Sequence, residues 1–534
     1  MNGRDGTTRA LRLLGGAAAL ITIATAAIAL FASRSRIVTL VSDDSYYYLQ
    51  VAKNLAATGT STFDGVTRTS GYHPLFAILL AALHALLHPA PDAYVRLMLG
   101  LNVALHALAG MVLYRAGCRL RDRLTGALAA VFYLVNPHAA LWSLSGMEAA
   151  LSGFTLSLFF LALVTPLRDF SRIAFAGTAA ALAVLARTDN LAVVLLATPV
   201  ILFAHEGPFA RRLAAALTVA MSAIAALGLW TLYIHAATGT WIQGSAQIKM
   251  LIREYKVSGM EFLEAMAFTF DVFQKFAVKS FVKTPALKYV LLVALIAGAG
   301  VFRVPLRRAW FPAYLAMLPL ALAGAYALKL TRTATWYYVP PVLALTLLAA
   351  MLARRLLDLD SPRSRAVAAV LALLVAAEGL GYFAVKTARG RNVYQRDMLE
   401  LAEWMHDHLP PGSTVGAWDS GIYSFYSGLR VVNLDGLMNN DIAELMEANR
   451  PLWPAWRAHG VDSVANYELW YAGNPGQYWQ YWKDKDIRYI AGSTRWLRNI
   501  PETWDGARRI VLREPGAQYS TSPKALYEIQ WGQD

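Results

Sequence analysis

The sequence is short of cysteine and short of charge. A single cysteine, Cys118, leaves no partner for an intramolecular disulfide framework. Charged residues are 16% of the 534, well under the ~25% usual in soluble domains, and hydrophobic residues reach 57%. Mean hydropathy is +0.39. No Gly-rich loop ending in Lys-Ser or Lys-Thr is present, which argues against an ATP-driven pump. His84, His106, His138 and His235 are scattered without metal-ligand spacing, so no structural zinc is expected. No internal repeat of the transporter kind is visible. What is left is a chain whose solvent is lipid.

The net charge is +14, which in a soluble protein would suggest nucleic acid. Here most Arg clusters fall between apolar runs, the positive-inside pattern, and no nucleic-acid partner is expected. The first run, Leu11 to Ala32, follows Arg4, Arg9 and Arg12. It is longer than the ~7–15-residue core of a signal peptide. It reads as an uncleaved first helix with a cytoplasmic N-terminus.

A helix needs about 20 apolar residues to cross ~30 Å of hydrocarbon. Spans are expected near 11–32, 94–114, 124–142, 147–167, 173–187, 190–205, 213–236, 286–302, 309–328, 338–353 and 366–386, about eleven in all. The run Leu75–Leu87, about 13 residues between Pro74 and His88, is left out as interfacial or re-entrant. With it omitted, Arg115, Arg119, Arg121 and Arg123 fall inside, as do the later Arg clusters at 168–172, 211–212, 303–308 and 354–365. An odd count then puts the C-terminal part outside. The expected fold is mainly α: a polytopic helix bundle over 1–387 with outside loops at 34–93 and 237–285, then an extracytoplasmic α/β domain over 388–534. In that tail Gln395–Leu409 reads as a helix, and Thr414–Trp418, Arg430–Leu434, Ile487–Ala491 and Arg509–Arg513 read as strands.

The first outside loop carries the chemistry. Ser42-Asp43-Asp44-Ser45 opens an amphipathic helix in which Tyr47, Tyr48, Val51, Ala52 and Leu55 share one face. Ser42 fits an N-cap, and both carboxylates lie in the first turn, where the helix dipole favours ionisation. Phe63-Asp64-Gly65 and Thr67-Arg68-Thr69-Ser70-Gly71-Tyr72-His73-Pro74-Leu75-Phe76 follow. This order of paired acids, helix, Gly-Tyr-His-Pro turn and short apolar helix resembles the first periplasmic loop of GT-C superfamily glycosyltransferases. That group includes the protein O-mannosyltransferases and the lipid A aminoarabinose transferase. Phe76 stands where relatives often carry Trp.

The resemblance extends over about residues 36–345. It takes in Asn136-Pro137, Ser145-Gly146-Met147-Glu148, Ala186-Arg187-Thr188-Asp189, Thr238-Gly239-Thr240 with Lys249, and Arg332 before Trp336-Tyr337-Tyr338-Val339-Pro340. In the tail, Trp418-Asp419-Ser420-Gly421 and Val432-Asn433-Leu434-Asp435-Gly436-Leu437 look like the soluble domain of some bacterial members. The resemblance implies an inner-membrane glycosyltransferase that takes sugar from a polyprenyl-phosphate donor, without an organic cofactor. The acceptor is an envelope glycan, lipid or protein. Asp43 and Asp44 match the catalytic acid pair, with Asp43 as general base. His73, Glu148, Arg187, Asp189, Lys249, Arg332 and Tyr337 match substrate-binding positions, with Lys249, Arg332, His73 and Arg187 as cations for the leaving phosphate. No protein metal site is expected, and a divalent ion at the acid pair is left open.

On local grounds alone, each of these residues also fits a purely structural role. Glu148 as a first-turn acid is structural or lines the site. His73 before Pro74 is a turn residue or a ligand. Arg187 and Asp189 form a local pair or a cavity wall, because ionisable groups at membrane depth need one or the other. The cations Lys249, Arg253, Lys256, Lys275, Lys279 and Lys283 of the second outside loop meet an anionic ligand or lipid headgroups. Asp419, Asp435, Asn439 and Asn440 bind a ligand past strand ends or form Asx turns. Trp470, Tyr471, Tyr478, Trp479, Tyr481 and Trp482 are expected on the surface, against sugars or lipid. Two rival functions stand beside the enzyme: a lipid-linked sugar flippase, and a non-catalytic envelope assembly protein.

Overall fold

A computed structural model of the chain describes residues 3–279, 306–332, 334–359, 361–458 and 476–532, the last stretch without 498–499, 501, 505, 515–517, 520 and 522. The expected span 286–302, the cations Lys283 and Arg303, and Trp470 and Tyr471 lie outside the described residues.

The chain is mainly helical. Up to the end of the second loop the helices are α1 (Gly3–Phe31), α2 (Arg34–Val38), α3 (Asp43–Thr58), α4 (Pro74–Leu87), α5 (Pro91–Leu120), α6 (Arg123–Leu134), α7 (Pro137–Trp142), α8 (Ala149–Leu163), α9 (Phe170–Ala186), α10 (Leu191–Leu196), α11 (Thr198–Ala204), α12 (Phe209–Thr238), α13 (Gly244–Val257) and α14 (Phe262–Lys279). Then come α15 (Leu306–Lys329), α16 (Val339–Asp358) and α17 (Pro362–Arg389). Proline occupies the first turn of α4, α5, α7 and α17, where its missing N–H costs nothing. Asp122, Asp169 and Ser361 cap α6, α9 and α17 by accepting backbone N–H groups three residues on.

Among the described residues six helices are long and apolar enough to cross a membrane: Arg9–Phe31, Pro91–Leu120, Phe209–Thr238, Trp310–Lys329, Thr335–Asp358 and Pro362–Arg389. Four further expected spans are shorter. The one near 124–142 stops at Leu134 and resumes as α7, and those near 147–167, 173–187 and 190–205 are Ala149–Leu163, Phe170–Ala186 and Thr188–Ala204. Between the last two the helix does break. Arg187 is extended (φ −154°, ψ 119°), and Thr188–Asn190 forms a 3-10 turn before α10. α5 packs on α6 and α8, α9 on α12, and α1 on α17.

After α17 the chain forms α18 (Gln395–His408), α19 (Gly421–Ser427) and α20 (Asp441–Ala448) around a six-stranded sheet. The strands are β1 (Thr414–Ala417), β2 (Arg430–Asn433), β3 (Tyr489–Ser493), β4 (Thr503–Trp504), β5 (Ala507–Arg513) and β6 (Lys524–Trp531), in the order β2-β1-β3-β6-β5-β4. β1 is parallel to β2 and β3, and the β3, β6, β5, β4 side is antiparallel. The tail aromatics among the described residues are not surface platforms. Trp482 is buried beside Trp418, Trp479 packs on Trp531 with ring centroids 4.3 Å apart, and the Tyr481 hydroxyl donates to Asp441. A sheet this small needs those rings to fill its core.

The sheet domain sits on the first loop. The Thr39 carbonyl accepts the N–H groups of Arg391 and Asn392 at 2.8 and 2.9 Å. Asn440 Nδ2 donates to the Ser70 hydroxyl at 3.0 Å, and a Cβ on Gly71 would lie 1.8 Å from the Leu437 carbonyl oxygen.

Candidate active site

α3 begins with Ser42 at its N-cap position and both acids in the first turn. Ser42 makes no side-chain cap. Its backbone N–H and the Ser45 hydroxyl both donate to the Ser145 carbonyl, at 2.9 and 2.7 Å. The Ser145–Glu148 turn is thereby held against the start of α3. Gly146 sits at φ 72°, and a Cβ there would meet Ser45 at 2.8 Å, so only glycine fits both the turn and the approach. Most of the first half of α3 is buried, on more than one face, because the helix lies between the bundle and the sheet domain.

The two acids look different ways. Asp43 is buried, and its carboxylate accepts the backbone N–H of Gly421 at 3.0 Å and of Ile422 at 2.8 Å. Burial pushes its carboxyl well up and Asp419 adds to that, against the two N–H groups. Asp44 accepts no hydrogen bond from any described residue. It lines a cavity of about 670 Å³. Burial pushes its carboxyl up to about 6, with Lys249 and Arg332 opposing and Asp419 and Glu148 assisting.

Asp44, His73, Glu148, Arg187, Asp189, Lys249 and Tyr337 all line this one cavity. Asp43 and Arg332 are not among its lining residues. Asp43 is turned onto the sheet domain by its bonds to Gly421 and Ile422. Arg332 is exposed in the bend after α15 and acts on Asp44 only through its field.

Arg187 is buried and is at once a local pair and part of the cavity wall. Its guanidinium pairs with Glu148 and holds both oxygens of Asp189, Nε at 3.1 Å and NH2 at 2.7 Å, and it lies 4.9 Å from the Tyr337 ring centroid. The Tyr326 hydroxyl donates to Asp189 at 2.6 Å. Those partners engage the cation. His73 Nδ1 accepts the Thr188 N–H at 3.3 Å. Burial, then Arg187, pushes its imidazole down to about 4, which favours the neutral ring. Lys249 donates to the Tyr337 hydroxyl at 3.1 Å. Burial alone would lower its ammonium, but Tyr337 and Asp44 outweigh that and the net direction is up. Lys249 is therefore the charged group with donors to spare.

Most of the rest of the cavity is apolar: Leu191, Ala192 and Leu195 on α10, Leu227, Trp230 and Ile234 on α12, and Leu322 and Ala325 on α15. Leu437 and Met438 of the sheet domain close its other side. Tyr326, Lys329 and Gln243 also line it and were not singled out from the sequence. Leu322, Tyr326 and Lys329 share one helical face, so reading α15 by face would have found two of them. Asp435 accepts the Leu437 N–H at 3.0 Å and Asn440 bonds Ser70, so turn and interface roles account for these. Among the described residues no three His, Cys, Asp or Glu side chains gather where they could hold a metal ion.

The chain shares its fold with known GT-C proteins. The crystal structure of ArnT from Cupriavidus metallidurans bound to undecaprenyl phosphate matches with a TM-score of 0.57 at 12% identity, over 95% of this chain and 97% of that one. The archaeal oligosaccharyltransferase AglB from Archaeoglobus fulgidus, in complex with an inhibitory peptide and a dolichol-phosphate, matches with a TM-score of 0.53 at 14% identity. That match covers 91% of this chain and 69% of AglB. Residues 386–522 match a family model described as a domain of unknown function, DUF8728. No curated protein matches the sequence.

Proposed function

We propose that this chain, built on the GT-C glycosyltransferase fold, moves a sugar from a polyprenyl-phosphate donor to an acceptor hydroxyl on the outer face of the inner membrane. One observation carries the reading. A single cavity joins an unengaged carboxylate, a lysine and an apolar groove running between α10, α12 and α15. A lipid phosphate needs a cation for its head and such a groove for its chain. That ArnT and AglB are solved with undecaprenyl phosphate and a dolichol-phosphate supports the same donor class here.

Asp44 is the general base. The acceptor oxygen bonds the anomeric carbon as Asp44 takes its proton, and the carbon–oxygen bond to phosphate breaks. A single displacement inverts the anomeric centre. The polyprenyl phosphate leaves as an anion and needs no proton. Lys249 stabilises its developing charge, with Lys329 as a further cation lining the cavity. Arg187, Glu148 and Asp189 act as a fixed wall. In this reading the N-terminus is cytoplasmic and the sheet domain outside, and the acceptor is an envelope glycan, lipid or protein.

The test is release of polyprenyl phosphate by the purified protein from polyprenyl-phosphate arabinose, mannose, glucose and galactose, with envelope extract as acceptor. Turnover of at least one donor, abolished in Asp44→Asn, is expected. No turnover of any donor would sink the transferase reading.

A further inference from the structure

The geometry points to a function for the C-terminal sheet domain. We infer that it completes the donor cavity and sets the catalytic acid, and that Asp43 is the positioning residue that registers it. This rests on the transferase reading. Asp43 and Asp44 are consecutive in α3, so whatever fixes the one orients the other. Both oxygens of Asp43 are taken by N–H groups of the sheet domain, Gly421 and Ile422. One turn on, the Tyr47 hydroxyl accepts from Ser420 N–H at 3.0 Å and from Asn433 Nδ2 at 3.3 Å. The contact is too close for any side chain at Gly421, where a Cβ would meet the Asp43 carbonyl oxygen at 2.3 Å.

The same docking brings in the cavity wall. Asn433 Oδ1 accepts the Met438 N–H at 3.0 Å, which ties the Leu437–Met438 segment to the strand end that Tyr47 touches. Leu437 and Met438 then face the donor cavity. Undocking the domain would free α3's first turn and open the cavity together.

The experiment uses full-length protein in which Cys118→Ser removes the native thiol and Ser70→Cys with Asn440→Cys places a cysteine pair where these side chains now touch. Disulfide closure reads docking, and polyprenyl phosphate release reads transfer. Asp43→Ala attacks the contact from α3, and Gly421→Ala attacks it from the sheet domain, which covers the case that one variant fails to fold. Both should close the disulfide about tenfold more slowly or worse and lose release in parallel. Once the disulfide has closed, release should recover. Closure at the parent rate with release lost would overturn the inference, because Asp43 would then act in the chemistry itself. Release that stays lost in the locked protein, or is unchanged without docking, would overturn it too. A parent that closes its disulfide yet turns over no donor sinks the transferase reading alone.

Discussion

Two buried ionisable groups are held in opposite ways in two regions of this molecule. In the bundle, Arg187 is matched by two carboxylates and an aromatic face. Where the sheet domain meets the first loop, the Asp43 carboxylate has backbone N–H groups and no cation within bonding distance. Pairing fixes charge, because separating the partners would strand each of them in a dry site. Burial without pairing leaves acids that titrate near neutrality. Asp44 is pushed up to about 6 and Asp435 to about 7, in each case by burial first. One wall of the cavity is electrostatically rigid and the other is poised to exchange a proton.

The contrast breaks most visibly at Asp44. Asp44→Asn should lower release about 10²–10⁴-fold, the usual worth of a positioned base, while the protein still folds. Undiminished release would hand the base role elsewhere. Arg187→Ala should act on folding more than on chemistry. It leaves Glu148 and Asp189 without their cation and should cost about 3–5 kcal/mol of stability, read as loss of folded protein in denaturant. Stability equal to the parent would show that the pair is ornamental. Lys249→Ala should lower release about 10²–10³-fold without lowering stability, the pattern of a group that meets charge only as it develops.

Much of this cavity's lining was picked out in the sequence by the order of its motifs, because local grounds alone left a structural role open at each position. Glu148, Arg187, Asp189 and Tyr337 stand at helix ends or in short turns beside apolar runs, whereas Lys249 lies inside α13. Ionisable groups at such places have few structural uses in lipid. The helix–strand pattern of the tail was legible for β1, β2, β3 and β5 because turn residues bracket short β-branched runs. β6, near the centre of the sheet, was missed, although Tyr527–Trp531 alternates apolar and polar residues in the strand manner. The assignment of the two acids could not be read locally at all. Adjacent residues on a helix point about 100° apart, and which one faces the cavity depends on Gly421, nearly 380 residues away.

The smallest effect tests the poised wall directly. An unfolded Asp carboxyl ionises near ~3.9, and the folded one at Asp44 near about 6. Between those values the folded state keeps a proton that the unfolded state has lost. Stability from Asp44 is therefore whole below pH ~4 and drains away as pH rises through about 6. Asn carries no such penalty. Asp44→Asn should melt roughly 2–4 °C above the parent at pH 8, with the gap closing at pH 4. Over the same range the parent's release should rise through pH about 6 as the base ionises. A variant that melts below the parent at pH 8, or a release profile flat from pH 5 to 8, would mean that Asp44 is held ionised throughout. The two walls would then not differ as described.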